Sequence, residues 1–235
     1  MNFLEKSNTQ QADTGKMSEV RAPAWIAREN LLREPSLLAK ELRQRLGVHP
    51  VPQSDSRTRG LLVELNNSQA HRDRLRQELP ALAEILQSVG DTRPPTLVLA
   101  VNETPATHSD SFLMMPHLDR RYRAKGFANA TPERTTVVML DFPSEGVGGE
   151  LVVFLEEALR ENPPNSRSGA RAAVSRAQGH LLSPRPGTAY VLPGTQPHAV
   201  LGYEAPSGAP RRLVVVIAEF AACLGERPTE WLRLG

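Results

Sequence analysis

A single cysteine, Cys223, stands in 235 residues. A disulfide framework, a cysteine-rich zinc site and an iron–sulfur cluster each need more thiols than that. Any bound metal must therefore rest on histidine and carboxylate, and one free thiol fits a reducing cytoplasm. An excess of charge of one sign is also missing: 28 basic and 26 acidic residues leave a net charge of +2. No basic field points to nucleic acid as a partner. No apolar run approaches the ~20 residues of a membrane span, and the polar first twenty residues lack the apolar stretch of a secretory signal. Aromatic residues make up only 5% of the chain. What the chain does have is 40% hydrophobic residues, 20 Pro and 16 Gly. That suits one sizeable core built of short strands and many turns.

Along the chain, residues 1–21 read as a flexible tail and 22–235 as one domain, with a helical part over 22–92 and a β core over 93–222. Helical spacing runs over 25–46, interrupted by Pro35, and over 66–90, interrupted by Pro80. Strand candidates lie at 61–65, 96–101, 135–140, 151–154, 188–192 and 213–220, separated by Gly/Pro turns. A polar, Arg- and Ser-rich insert over 156–179 reads as a mobile surface loop. Helices first and strands after describe an α+β chain with a β-sandwich or barrel at its centre.

The pattern His-x-Asp occurs three times, at His71/Asp73, His108/Asp110 and His117/Asp119. On a strand, residues i and i+2 share a face and grip one ion together; on a helix they diverge. His71/Asp73 sits among arginines in a helical stretch and reads as a solvated face. His108/Asp110 sits among Thr, Pro and Ser and reads as a loop. His117/Asp119 follows the apolar run Phe112-Leu113-Met114-Met115 and is the preferred pair. His198, after a strand and a Pro-Gly turn, is the candidate third ligand. Two histidines and one carboxylate leave positions open on Fe(II), though zinc takes the same set.

The surroundings of these residues resemble the Fe(II)/2-oxoglutarate-dependent dioxygenases, in their prolyl-hydroxylase-like branch. The resemblance runs through Phe112 to Asp119, then Thr136–Leu140, Gly148-Gly149-Glu150-Leu151 and Pro184-Arg185-Pro186-Gly187. It closes with His198-Ala199-Val200 and Arg212-Leu213-Val214-Val215, about 110 residues in all. It implies a double-stranded β-helix of the jelly-roll or cupin-like kind, with the N-terminal helices packed on one sheet. It implies Fe(II) on His117, Asp119 and His198, with 2-oxoglutarate and O2 as cosubstrates. Arg212 then takes the distal carboxylate of 2-oxoglutarate, which suits a planar guanidinium; Arg211, on a strand, faces the other way. The sequence departs from the family in three places, one being a somewhat long separation from His198 to Arg212, with residues 203–210 as a Gly/Pro-containing excursion. Val214 stands where Ser is frequent, and Leu140 where a tyrosine is common, so Thr136 and Tyr190 are the candidates for a second cosubstrate contact.

The implied activity is oxidation of an unactivated C–H bond, with release of succinate and CO2. Asp119 favours hydroxylation over halogenation, since related halogenases carry Gly or Ala there. The substrate read here is a small molecule, anionic or amino-acid-like, in view of Arg120, Arg121, Arg123 and Lys125. Two alternatives stay open: a hydroxylase of prolyl or other side chains in peptides, and a cupin-like metal-binding module without turnover.

Overall fold

The structure is a computed structural model and describes residues 25–48, 59–66, 68–90, 95–107, 110–118, 131–155, 164–176 and 178–221. In chain order it runs β1 (Ile26–Arg28), α1 (Pro35–Val48), β2 (Arg59–Asn66), α2 (Gln69–Glu78), α3 (Pro80–Val89), β3 (Thr96–Thr104) and β4 (Phe112–His117). There follow β5 (Arg134–Asp141), β6 (Val147–Gly148), β7 (Leu151–Phe154), α4 (Arg167–Ser175) and β8 (Gly179–Leu182). Last come β9 (Ala189–Pro193), β10 (His198–Leu201), β11 (Tyr203–Glu204) and β12 (Arg212–Phe220).

A strand covered on both faces must be apolar at nearly every position, and β5 and β12 are such strands. They lie in the middle of a six-stranded antiparallel sheet ordered β1-β9-β5-β12-β3-β2. Leu213, Val215 and Ile217 of β12, with Val138 and Leu140 of β5, face the N-terminal helices. The alternate residues Val214, Val137 and Met139 face inward, onto Leu151, Val153 and Val200 of a second sheet. This smaller antiparallel sheet has the order β4-β10-β7-β8. From β3 onward the chain passes between the two sheets at nearly every step. A two-stranded ribbon, β6 with β11, stands apart.

The helices supply the outer layers. Leu38, Leu42 and Leu46 recur every four residues on α1, and Leu82, Ile85, Leu86 and Val89 line one side of α3. Both helices bury these stripes against the outer face of the large sheet. One arginine ties α1 to three strand ends. Arg43 donates to Glu103 at 2.9 Å, to Asp141 at 2.6 Å and to the Arg211 carbonyl at 2.5 Å. Ala170 and Ala173 of α4 cover the outer face of the small sheet, with Val152, Phe154 and Ala199.

Several expectations are corrected. Residues 25–34 are not helical; Ile26–Arg28 pairs with β9 instead. Pro35 begins α1 rather than interrupting it, and Pro80 begins α3. At a first helical turn the missing N–H of proline costs nothing and its fixed φ suits the helix. The insert over 156–179 is not a loop throughout: Ser166 caps α4 by accepting from the Gly169 N–H at 3.1 Å, and the helix packs on the sheet. Residues 156–163 of it lie outside the described residues, as do His108 and the run Arg120–Lys125.

The packing separates two leucines on α1. Leu42 is 1% exposed and Leu37 58%. Leu42→Ala is expected to lower the unfolding free energy by about 2–5 kcal/mol, and Leu37→Ala to change it by less than about 0.5 kcal/mol. Urea denaturation of both variants checks this.

Candidate active site

β4 and β10 pair so that His117 stands opposite His198. Their ring centroids are 4.3 Å apart, with the planes tilted by 58°. The Nδ1 of His117 lies 2.8 Å from the Met115 carbonyl, and that of His198 lies 2.9 Å from the Gln196 carbonyl. A carbonyl only accepts, so each Nδ1 carries a hydrogen, and in the neutral imidazole Nε2 carries the lone pair. That is the tautomer of an imidazole oriented to bind a metal through Nε2. His198 is buried and His117 half-buried.

The turn before β10 holds His198 in place. The Gln196 side-chain amide donates to the Phe154 carbonyl at 2.6 Å, and the Phe154 N–H donates to the Pro197 carbonyl at 2.9 Å. At Gly194 a Cβ would fall 1.7 Å from the Pro132 carbonyl oxygen, so no side chain fits there. Asp119 lies two positions past the end of β4, outside the described residues. Among the described residues no group of three or more His, Cys, Asp or Glu is arranged to hold a metal.

Arg212 opens β12, in phase with Val214 on the face turned to the small sheet. It is 3% exposed. Its Nη2 lies 3.9 Å from the Met139 sulfur, and its Nε has no hydrogen-bond partner among the described residues. Burial pulls its pKa well below the usual arginine range, to about 10, opposed by the nearby Tyr203 hydroxyl. No carboxylate is paired with this guanidinium among the described residues. A buried cation in that condition is costly, and an anion offsets the cost. Arg211, one residue earlier, is exposed.

The other predicted contacts fall elsewhere. Thr136 is buried but in phase with Val138 and Leu140 and opposite Ile217, all of which face the helices. It is on the wrong side of the sheet to meet Arg212. Thr135 shares the inner face with Val137 and Met139, and its buried hydroxyl has no partner among the described residues. Tyr190 is on the inner face, level with Val137 and Val216, two inner positions along β12 from Arg212. Its hydroxyl donates to the Ser183 carbonyl at 2.6 Å, and burial raises its pKa. Beside Arg212 the structure places a residue that no motif marked. The Tyr203 hydroxyl accepts from the Arg212 N–H at 3.0 Å.

Replacing a buried, unpartnered charge by an apolar side chain of similar length removes a cost from the folded state. Arg212→Met is expected to raise the unfolding free energy by about 1 kcal/mol or more, measured by urea denaturation in buffer free of carboxylates. A loss of stability instead would mean that the guanidinium already has an adequate partner.

No protein-family model and no curated protein matches the sequence. Among solved structures, the chain is similar to a prolyl-4-hydroxylase from Pseudomonas putida, with a TM-score of 0.50 and 17% identity over 84% of this chain and 92% of that one. A dioxygenase for auxin oxidation from Arabidopsis thaliana gives 0.49 and 11%, over 86% of this chain and 85% of that one. An oxidoreductase of the 2OG-Fe(II) oxygenase family from Burkholderia pseudomallei gives 0.46 and 14%, over 84% of each. The likeness to the Pseudomonas enzyme is one of fold, and it agrees with the resemblance carried by the motifs. The chain shares its fold with that Pseudomonas putida prolyl-4-hydroxylase.

Proposed function

We propose that the chain is an Fe(II)- and 2-oxoglutarate-dependent dioxygenase that hydroxylates an unactivated C–H bond of a small molecule, an amino acid or a natural-product intermediate. The observation that carries this reading is the buried Arg212 guanidinium, which has no carboxylate partner among the described residues. It opens into the layer between the sheets, the layer that β10 enters at His198 and Val200. In this reading a dicarboxylate would lie in that layer, one end on the Arg212 guanidinium and the other toward the histidine pair. In the same reading the two sheets form a double-stranded β-helix, within one domain over 22–235, and the setting is a reducing cytoplasm.

His117, Asp119 and His198 would hold the ferrous ion, and Arg212 the distal carboxylate of 2-oxoglutarate. Bound there, Fe(II) with 2-oxoglutarate and O2 supplies the oxidation, with succinate and CO2 as by-products. The chain's own contribution is orientation. Backbone carbonyls fix both imidazoles with Nε2 as the ligating nitrogen. Val137, Met139, Val200 and Val214 keep the intervening layer apolar, which strengthens a charge pair formed within it. Asp119, as a carboxylate ligand, favours hydroxylation over halogenation. A small anionic substrate is favoured by the charge run Arg120, Arg121, Arg123 and Lys125.

A second reading, hydroxylation of a prolyl or other side chain within a peptide, draws support from the fold shared with the Pseudomonas putida prolyl-4-hydroxylase. One assay addresses both. The protein is purified without O2 and given Fe(II), 2-oxoglutarate and O2, and amino acids and prolyl peptides are compared by succinate release. Stimulation by one class is expected, with His117→Ala and His198→Ala lowering both iron binding and turnover by about 100-fold or more. Absence of succinate with every substrate, together with unchanged iron binding in both variants, contradicts the proposal.

A further inference from the structure

Arg212 gains its position from the ribbon that precedes it. The chain between His198 and Arg212 leaves the small sheet at Gly202, forms β11 against β6, and returns through a Gly/Pro turn. Tyr203 is the buried member of that ribbon, 1% exposed. Its hydroxyl does two things at once. It donates to the Thr104 carbonyl at 2.8 Å and accepts from the Arg212 N–H at 3.0 Å. Thr104 and Arg212 are partners across β3 and β12, so one phenol bridges the two strands at the residue that carries the guanidinium.

The ring is held as closely as the hydroxyl. It lies 5.1 Å from the Phe142 ring, and the Tyr203 carbonyl accepts from the Thr107 N–H at 2.7 Å. A Cβ at Gly149, whose φ is +75°, would fall 2.6 Å from Phe142 and 3.4 Å from the Cβ of Tyr203. Gly149 thus gives the Phe142 ring its room beside Tyr203. Burial raises the Tyr203 pKa, and the protonated phenol is the form that can both donate and accept. From the other side of the sheet, Arg43 holds the Arg211 carbonyl. The main chain at the start of β12 is braced from both faces.

We infer that Tyr203 is a positioning residue for cosubstrate binding: its hydroxyl fixes the backbone at Arg212 so that the guanidinium meets the distal carboxylate of 2-oxoglutarate. The inference rests on the proposed cosubstrate site. Tyr203 acts through Arg212 and does not itself touch the cosubstrate, since both roles of its hydroxyl are taken by backbone groups.

The test is calorimetric titration of 2-oxoglutarate into the Mn(II)-loaded full chain, for wild type, Tyr203→Phe, Arg212→Met, the double variant and Phe142→Leu. Tyr203→Phe keeps the ring and is expected to weaken 2-oxoglutarate about tenfold with Mn(II) affinity unchanged. Arg212→Met is expected to weaken it further, and the double variant no more than Arg212→Met alone, because the two act through one contact. Phe142→Leu loosens the ring packing but keeps the hydroxyl, so it is expected to lose stability and retain the affinity. Wild-type affinity in Tyr203→Phe, an additive double variant, or equal weakening by Phe142→Leu each overturns the role of Tyr203. Wild-type protein that binds no 2-oxoglutarate, or is indifferent to Arg212→Met, overturns the cosubstrate site itself. Amide exchange in the unmutated protein is a second measure, independent of whether the variants fold. Slower exchange at Arg212 on adding 2-oxoglutarate is expected, and unchanged exchange overturns the inference.

Discussion

A guanidinium buried with no carboxylate partner among the described residues is the constraint around which the rest of this structure is arranged. Burial of Arg212 costs folding free energy, and an apolar side chain in its place would fill the same volume without that cost. The surrounding structure holds it there nonetheless. Arg43 ties the ends of β3 and β5 and the residue before β12 to helix α1, and Tyr203 ties the first residue of β12 to β3. These contacts fix the backbone of the strand end and leave the Arg212 side chain in a layer of Met139, Val137 and Val214. In such a layer an arriving carboxylate forms a strong charge pair, because little water competes for it.

The two sheets divide the labour. The large sheet, stiffened on its outer face by α1 and α3, carries Arg212. The small sheet, covered by α4, carries the histidine pair on adjacent strands. Side-chain alternation then sends functional groups inward from both sheets while neighbouring residues serve the outer cores. The site is therefore built by register: a slip of one residue along β12 would exchange Arg212 for the exposed Arg211.

How much of this was legible in the sequence follows from the same geometry. Strands β5, β7 and β12 stood out because both faces are covered, so they read as unbroken apolar runs. Strands β8 and β10 open on Gly179-His180 and His198, so neither reads as an unbroken apolar run. Residues 25–34 carry apolar residues at helical spacing yet precede α1, and only the pairing of Ile26–Arg28 with β9 shows it. His117, His198 and Arg212 stood out through the order of motifs around them. Thr136 was placed one residue away from the inner face for a plain reason: Val137 to Leu140 are all apolar, so no alternation marks which residues point inward. Tyr203 was hidden in what read as a Gly/Pro excursion, since its partner Thr104 is 99 residues away and no local pattern reports such a contact.

The role proposed for Arg212 is to receive the distal carboxylate of 2-oxoglutarate. Its most direct test is a comparison of 2-oxoglutarate with 2-oxopentanoate, which has a methyl group in place of that carboxylate, as ligands of the Mn(II)-loaded protein. Loss of a charge-assisted pair in an apolar layer is worth about 2–3 kcal/mol, so 2-oxoglutarate should bind about 100-fold more tightly. Equal affinity for the two would contradict the claim.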